Sequence, residues 1–294
     1  MIVRRGDRVL VQGITGKQGT FWTEKMQAYG TTVVGGVNPR KAGTTHLDLP
    51  VFASATEAAE QLAAEGSGVD VTVLFIPPAG ARAAIEDAVA AGARLIVVLT
   101  EFIPVHDTMA AVAAARAMGS RIIGPNTAGV VTPGEAFVGF MPAFDDRIFA
   151  PGRIGVISRS GSLGTLTALE LTSAGLGQSA FLGIGGDPVS GTTTAEAFAA
   201  LDQDSGTDAI VVIGEIGGTK EEDAAALIDA SSKPVVSFIA GAASPPGKRM
   251  GHAGAIVEGG TGTYDSKRAA LTEAGATVVA VPWEIPAALS DALG

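Results

Sequence analysis

The chain contains no cysteine, which excludes disulfides, thiol catalysis and Cys-ligated metal. Histidine is almost as scarce: only His46, His106 and His252 occur in 294 residues. No apolar run reaches the ~18 residues a membrane span needs. The charged N-terminus "MIVRRGDRVLVQG" has no apolar stretch ahead of its first strand, so no signal peptide is expected and the chain reads as cytoplasmic. Cations are too few for a nucleic-acid or anionic-membrane surface, since the formal net charge is −10. Aromatics make up only 5%, so the core has to be aliphatic.

What is present is an alternation. Hydrophobic residues at 47% against 17% charged describe a globular chain, and its length suits two domains. "RVLVQG", "TTVVGG", "DVTVLFIPP", "RLIVVLTE" and "RIIGPN" are continuous apolar runs, as expected of parallel strands buried on both faces. Between them "TFWTEKMQAYG", "ARAAIEDAVAAG" and "TMAAVAAARAMG" read as helices closed by glycine. A Gly/Pro-rich stretch from about residue 125 breaks the pattern, which restarts at "RIGVIS" and continues through "SAFLGIGG", "DAIVVIGE", "PVVSFIA" and "TVVAV". Two doubly wound α/β halves are expected, residues 1–149 and 150–294, with that stretch as the linker.

"VLVQGITGKQGTFW" places Gly13, Gly16 and Gly19 between a strand and a helix. Glycines there let the backbone approach a phosphate at the helix N-terminus. The spacing is not the G-x-G-x-x-G of dinucleotide folds, and a tight turn explains it equally well. Where a dinucleotide fold supplies an acid for the ribose, this chain has Arg40 and Lys41. They are either solvated surface charge or a site for an extra phosphate, as on NADP or coenzyme A.

In the second half, Ser158, Arg159, Ser160, Gly161 and Ser162 repeat the strand–loop–helix device with hydroxyls, an anion cradle by composition. The loop lacks the first glycine of a nucleophile elbow, which argues against a serine hydrolase. Glu215 ends the strand "AIVVIGE", where doubly wound sheets place their sites. His252 sits in "RMGHAGAIVEGG", among side chains too small to pack the imidazole. No second His or paired carboxylates stand at metal-ligand spacing. A His phosphorylated on one nitrogen, steadied by Glu215 on the other, remains, with its phosphate received by Ser158–Ser162.

These motifs carry a resemblance. "QGITGKQGTF", "NPRKAGTTHLDLPVF", "LTEFIP", "GPNTAGVVTPGE", "PGRIGVISRSGSL", "GIGGDPVSG", "IGEIGG" and "GKRMGHAGAI" run almost end to end in the order of the succinyl-CoA synthetase α-subunit family of NDP-forming acyl-CoA ligases, which the chain resembles. The resemblance implies an N-terminal Rossmann-like CoA-binding domain and a flavodoxin-like ligase domain. Thr15, Gly16, Lys17 and Gln18 would bind CoA with Lys41 near its phosphates, and Leu99, Thr100 and Glu101 would line the same site. His252 would be the phosphohistidine and Glu215 its partner. A separate ATP-grasp β subunit would hold ATP or GTP and Mg²⁺, in an αβ or α2β2 assembly.

Two positions depart from the family pattern. Thr127 follows Pro125 and Asn126 where a Cys is usual, and Gly164 and Thr165 stand where a Tyr near the substrate carboxylate is usual. The second change takes a phenol out of the pocket, leaving Asn126 and Thr165 as candidate contacts for the dicarboxylate. Another dicarboxylate, such as malate, is therefore an alternative to succinate. Rival classes are an NADP-dependent oxidoreductase and a CoA-sensing protein without turnover.

Overall fold

The Val- and Ile-rich runs of the first half become strands because both faces of each are covered. A computed structural model describes residues 1–245, 250–257 and 262–294. In it, β1 (Val9–Gln12), β2 (Val33–Val37), β3 (Thr45–His46), β4 (Leu49–Phe52), β5 (Val71–Leu74), β6 (Leu95–Val98) and β7 (Arg121–Ile123) form one sheet in the order β3-β4-β2-β1-β5-β6-β7. All neighbours are parallel except β3 and β4. Without the short edge strand β3 this is the 3-2-1-4-5-6 order of a dinucleotide-type sheet. Helices α1 (Lys17–Tyr29), α2 (Ala55–Ala64), α3 (Pro78–Ala90) and α4 (Val105–Ala117) connect the strands. Three were expected. The fourth, α2, is capped by the Ser54 side chain on Glu57 N–H.

The second sheet contains β8 (Gly129–Thr132), β9 (Ala136–Gly139), β10 (Pro151–Ser158), β11 (Gln178–Gly183), β12 (Ala209–Glu215), β13 (Val235–Ala240) and β14 (Thr277–Val279). Its order is β14-β13-β12-β10-β11-β8-β9. The five parallel strands follow the flavodoxin order 2-1-3-4-5. Helices α5 (Gly161–Ser173), α6 (Thr194–Asp202), α7 (Ala225–Ala230), α8 (Tyr264–Glu273) and α9 (Ile285–Leu293) complete this half among the described residues.

The stretch expected as a linker of the first half is instead a hairpin of the second sheet. Strand β8 pairs antiparallel with β11 and with β9. The reason lies in "AGVVTPGEAFVG": Val130, Val131, Phe137 and Val138 are buried on either side of a Pro-Gly turn, and the hairpin covers the open edge of β11. By strand pairing, the chain changes sheets between Ile123 and Gly129, ahead of the boundary expected at Phe149.

The hairpin also ties the halves together. Thr31 Oγ1 donates to Phe137 O at 2.9 Å and accepts from Phe137 N at 3.1 Å, while Thr132 Oγ1 donates to Val3 O at 2.5 Å. One hydrophobic cluster runs from Val11, Val73 and Val97 of the first sheet to Val131, Val156 and Val211 of the second. Thr127, in the place of the usual Cys, is buried, donating to Gly183 O and accepting from Gly129 N at 3.0 Å.

Candidate active site

Each sheet reverses its strand order at one point, and a site stands at the C-terminal end of each reversal. In the first sheet the reversal lies between β1 and β5. The loop after β1 turns back so tightly that a Cβ on Gly19 would strike the carbonyl of Gly13. Gly16 is the N-cap of α1 and carries no side-chain cap, leaving the first-turn N–H groups to a ligand or water. Beside it opens a largely apolar cavity of about 490 Å³, lined by Gln18, Trp22, Phe75, Ile76, Pro77, Leu99, Thr100 and Phe140.

Of the residues expected to bind CoA, Gln18, Leu99 and Thr100 line this cavity. Thr15, Gly16 and Lys17 directly precede Gln18 in the chain but are not among its lining residues. Thr15 Oγ1 accepts at 2.5 Å from Asn38 Nδ2, and Asn38 caps the exposed turn Pro39–Lys41. Lys41 and Glu101 are exposed and do not line the cavity. Trp22 and Phe140 were missed by sequence reasoning. Phe140 follows β9 and reaches the cavity only because the hairpin packs on α1.

The second reversal lies between β10 and β12. Ser158, Arg159 and Ser160 leave β10, and Glu215 ends β12. His252 arrives on a turn held by Met250 N to Ala255 O at 2.9 Å and His252 N to Met250 O at 3.0 Å. Gly254 N donates to Gly186 O at 3.2 Å, docking this turn on the loop after β11. The imidazole lies so close to Gly186 that a Cβ there would overlap the ring. Gly247, Lys248 and Arg249 of the "GKRMGHAGAI" motif lie outside the described residues.

His252 Nδ1 meets Glu215 Oε2 at 2.7 Å. An ionised carboxylate only accepts, so Nδ1 carries the proton and Nε2 keeps its lone pair in the neutral ring. The Glu215 hydrogen bond raises the His252 pKa above its usual 6.5, against the opposing effect of burial. Glu215 is itself buried, and its other oxygen lies 3.1 Å from Arg159 Nη2.

The serine loop divides its roles. Ser158 is buried and donates to Ser160 O, so it shapes the loop from within. Ser160 caps α5, accepting from Leu163 N, and its hydroxyl is 3.3 Å from that of Ser162. Gly161 opens the helix. Arg159, expected in the cradle, is turned inward: it donates to the carbonyls of Glu215 and Gly217 and to Glu221. Glu221 and Lys267, both fully buried, continue this chain of charges and were missed by sequence reasoning.

Asn126 stands between the two sites. Its N–H donates to Thr100 O at 3.0 Å, and its own carbonyl accepts from Gly186 N at 3.4 Å. Thr100 lines the first cavity and Gly186 backs His252, so one residue spans both. The Asn126 amide is held at 2.9 Å by Asp187. Thr165, one turn into α5, donates its hydroxyl to Gly161 O at 2.8 Å. Asn126 and Thr165 are thus already partnered within the protein. No helix among the described residues is long and apolar enough to cross a membrane.

Comparison with known proteins agrees with this layout. The CoA binding domain family matches residues 5–102 and the CoA-ligase family residues 157–277. The α subunit of the ADP-forming succinate–CoA ligase of Methanothermobacter thermautotrophicus is 49% identical over 98% of this chain and 95% of its own. A subunit of the ADP-forming sulfoacetate–CoA ligase of Bilophila wadsworthia is 40% identical over 100% of this chain and 99% of its own. In fold, the chain matches ATP citrate lyase of Methanothrix soehngenii, solved with citrate and coenzyme A, at a TM-score of 0.89 and 23% identity. The match covers 100% of this chain but 51% of that longer one. With both domain matches in order and near-half identity over nearly its full length, the chain belongs to the succinate–CoA ligase α-subunit family of CoA ligases.

Proposed function

We propose that this chain is the α subunit of an NDP-forming ligase that joins a dicarboxylate to CoA through a phosphohistidine at His252. The observation that carries this reading is the buried Glu215 carboxylate on His252 Nδ1, which leaves Nε2 as the nucleophile. The sheet reversal that holds the pair is joined through Asn126 to the cavity suited to CoA. Among the described residues an oxidoreductase reading has no comparable acid–base pair behind it, and the family membership leaves it without support.

In this reading His252 Nε2 attacks the terminal phosphorus of ATP or GTP, which the ATP-grasp partner holds with Mg²⁺, and the nucleoside diphosphate leaves. Glu215 keeps its hydrogen bond to Nδ1–H and balances the positive charge that develops on the ring. Ser160 and Ser162, at the N-terminus of α5, present hydroxyls and N–H groups to the transferred phosphoryl. The acid's carboxylate then takes the phosphoryl from His252, restoring the free ring and forming an acyl phosphate. The CoA thiolate attacks that carbonyl and inorganic phosphate leaves. Most of the protein's work here is placement and charge balance.

Succinate is the acid named for the Methanothermobacter relative and sulfoacetate for the Bilophila one, so the acid varies among the relatives. Thr165 is smaller than the Tyr usual at its position, so a substituted dicarboxylate such as malate is the second reading. The test is the chain co-expressed with its partner, given labelled NTP and Mg²⁺. One acid-labile, base-stable phosphate is expected on His252 and absent from His252→Asn. An acid-stable label, or one that survives that substitution, sinks the proposal. An acid panel on the same preparation then identifies the substrate.

A further inference from the structure

Behind the Glu215–His252 pair lies a row of buried charges that the phosphoryl relay does not itself touch. Arg159 Nη1 donates to Glu221 Oε1 at 3.1 Å, and Glu221 also accepts the Glu215 N–H at 3.4 Å. Lys267 Nζ, fully buried on α8, donates to Glu221 Oε2, to Glu222 at 2.7 Å and to Gly218 O at 2.9 Å. Glu221 therefore grips both the guanidinium that faces Glu215 and the backbone that carries Glu215.

The placement is costly to build. Fully buried ions give up their hydration, and good geometry is needed to offset that loss. A hydrophobic pair would fill the same volume without this penalty, so stability alone does not account for the row. Its charge does suggest a role. Glu215, Glu221 and Glu222 against Arg159 and Lys267 leave one negative charge, which a protonated His252 would cancel. Among the described residues, the charged groups that act on His252 are Glu215, Arg159 and Asp187. Lys220, which donates to Asp187 O at 2.9 Å, lies just behind them.

We propose that Glu221 and Lys267 are positioning residues that act through Arg159, fixing where the Glu215 carboxylate points and how much negative charge faces His252. Burial works against the ionised form of Glu221, but Arg159 and Lys267 outweigh it and hold its carboxyl below the usual range. The charge on Arg159 is thereby shared between two carboxylates. Neutralising Glu221 concentrates it on Glu215, and neutralising Lys267 does the reverse. The consequence for catalysis rests on reading His252 as the phosphoryl acceptor, whereas the charge balance is independent of that reading.

The test is an NMR titration of the full chain labelled in histidine, with the His252 signal assigned through His252→Asn. Glu221→Gln should lower the His252 midpoint and Lys267→Met should raise it, each by about one pH unit. The double variant restores the parent charge count and should bring the midpoint back. It also keeps the test readable if Lys267→Met does not fold. With the partner and NTP, phosphoenzyme formation in each variant should shift its pH profile by the same amount. Opposite shifts with recovery in the double variant support the proposal. A parental His252 midpoint in folded Glu221→Gln overturns it. NMR shifts as expected but no phosphate on His252 in the parent strike the phosphohistidine reading and leave the charge row standing.

Discussion

Replacing Gly186 with alanine perturbs the Glu215–His252 pair by sterics alone. Gly186 does not use a left-handed backbone, so alanine adds no conformational strain there. Its new Cβ would overlap Cγ and Nδ1 of His252 and stand 2.8 Å from Cδ2. Carbon atoms pack at roughly 3.5–4.0 Å, so the ring has to turn or retreat by about 1 Å. A displacement of that size takes the 2.7 Å Nδ1–Oε2 bond out of its narrow range of distance and angle. Losing a hydrogen bond to a charged group costs about 1.5–3 kcal/mol, or roughly 10- to 150-fold in rate if the bond is needed in the transition state.

The ring is the end of a side chain on a half-buried turn, so the damage should appear in its position and not in global stability. Rapid-quench measurement of phosphoenzyme formation, beside a thermal melt, separates the two. The expected result is the rate loss with a Tm within about 2 °C of the parent. A variant phosphorylated at the parent rate would show that the 2.7 Å contact does not matter to the chemistry.

Four further outcomes are expected. His252 titrates above 6.5 and only its neutral form has a free lone pair, so phosphorylation should accelerate as pH rises through that raised midpoint. Glu215→Gln should move the midpoint down, and an unmoved profile refutes the assignment. Because the midpoint is raised in the folded state, its contribution to stability is complete below about 6.5 and is lost as pH rises through the folded value. Urea unfolding of the parent and His252→Asn should therefore converge with rising pH, and a gap that widens contradicts the sign. Lys41→Ala should narrow the preference for CoA over dephospho-CoA by about 1.5–3 kcal/mol in calorimetry, and equal affinities in the parent would remove Lys41 from the site. Thr165→Tyr should shift kcat/KM toward succinate and away from a bulkier or hydroxylated acid. If succinate is already the best acid for the parent, the smaller Thr165 side chain does not set the acid preference.

The strands and the motif loops were legible because their signals are local. "RLIVVLTE" is apolar on both faces wherever it is read, and a glycine loop between strand and helix announces itself. Strands β8 and β9 were not, because "AGVVTPGEAFVG" is rich in turn residues and its pairing depends on a distant edge, that of β11. Glu221 and Lys267 were hidden for a related reason. "GTKEEDAA" and "YDSKRAALTE" have the composition of solvated surface, and only the convergence of α8 on the loop after β12 buries those charges together. Arg159 was placed in the right loop but facing the wrong way, since sequence does not reveal the inward turn toward Glu215. The signal that could have been used was the pair of small residues, Gly217 and Gly218, which lets both side chains approach the backbone.

The hairpin that crosses from one sheet to the other makes the chain hard to divide. A fragment ending at Gly124 would deprive Thr31 and Val3 of their partners and lift Phe140 off the first cavity. One ending at Phe149 would keep β8 and β9 but expose the strand edge that β11 normally occupies, a template for edge-to-edge association. Neither half is thus a natural module for grafting or for separate expression. Recombination between relatives should preserve activity only when residues 125–149 travel with both of their neighbours, so exchange of substrate preference is better sought by replacing individual loops.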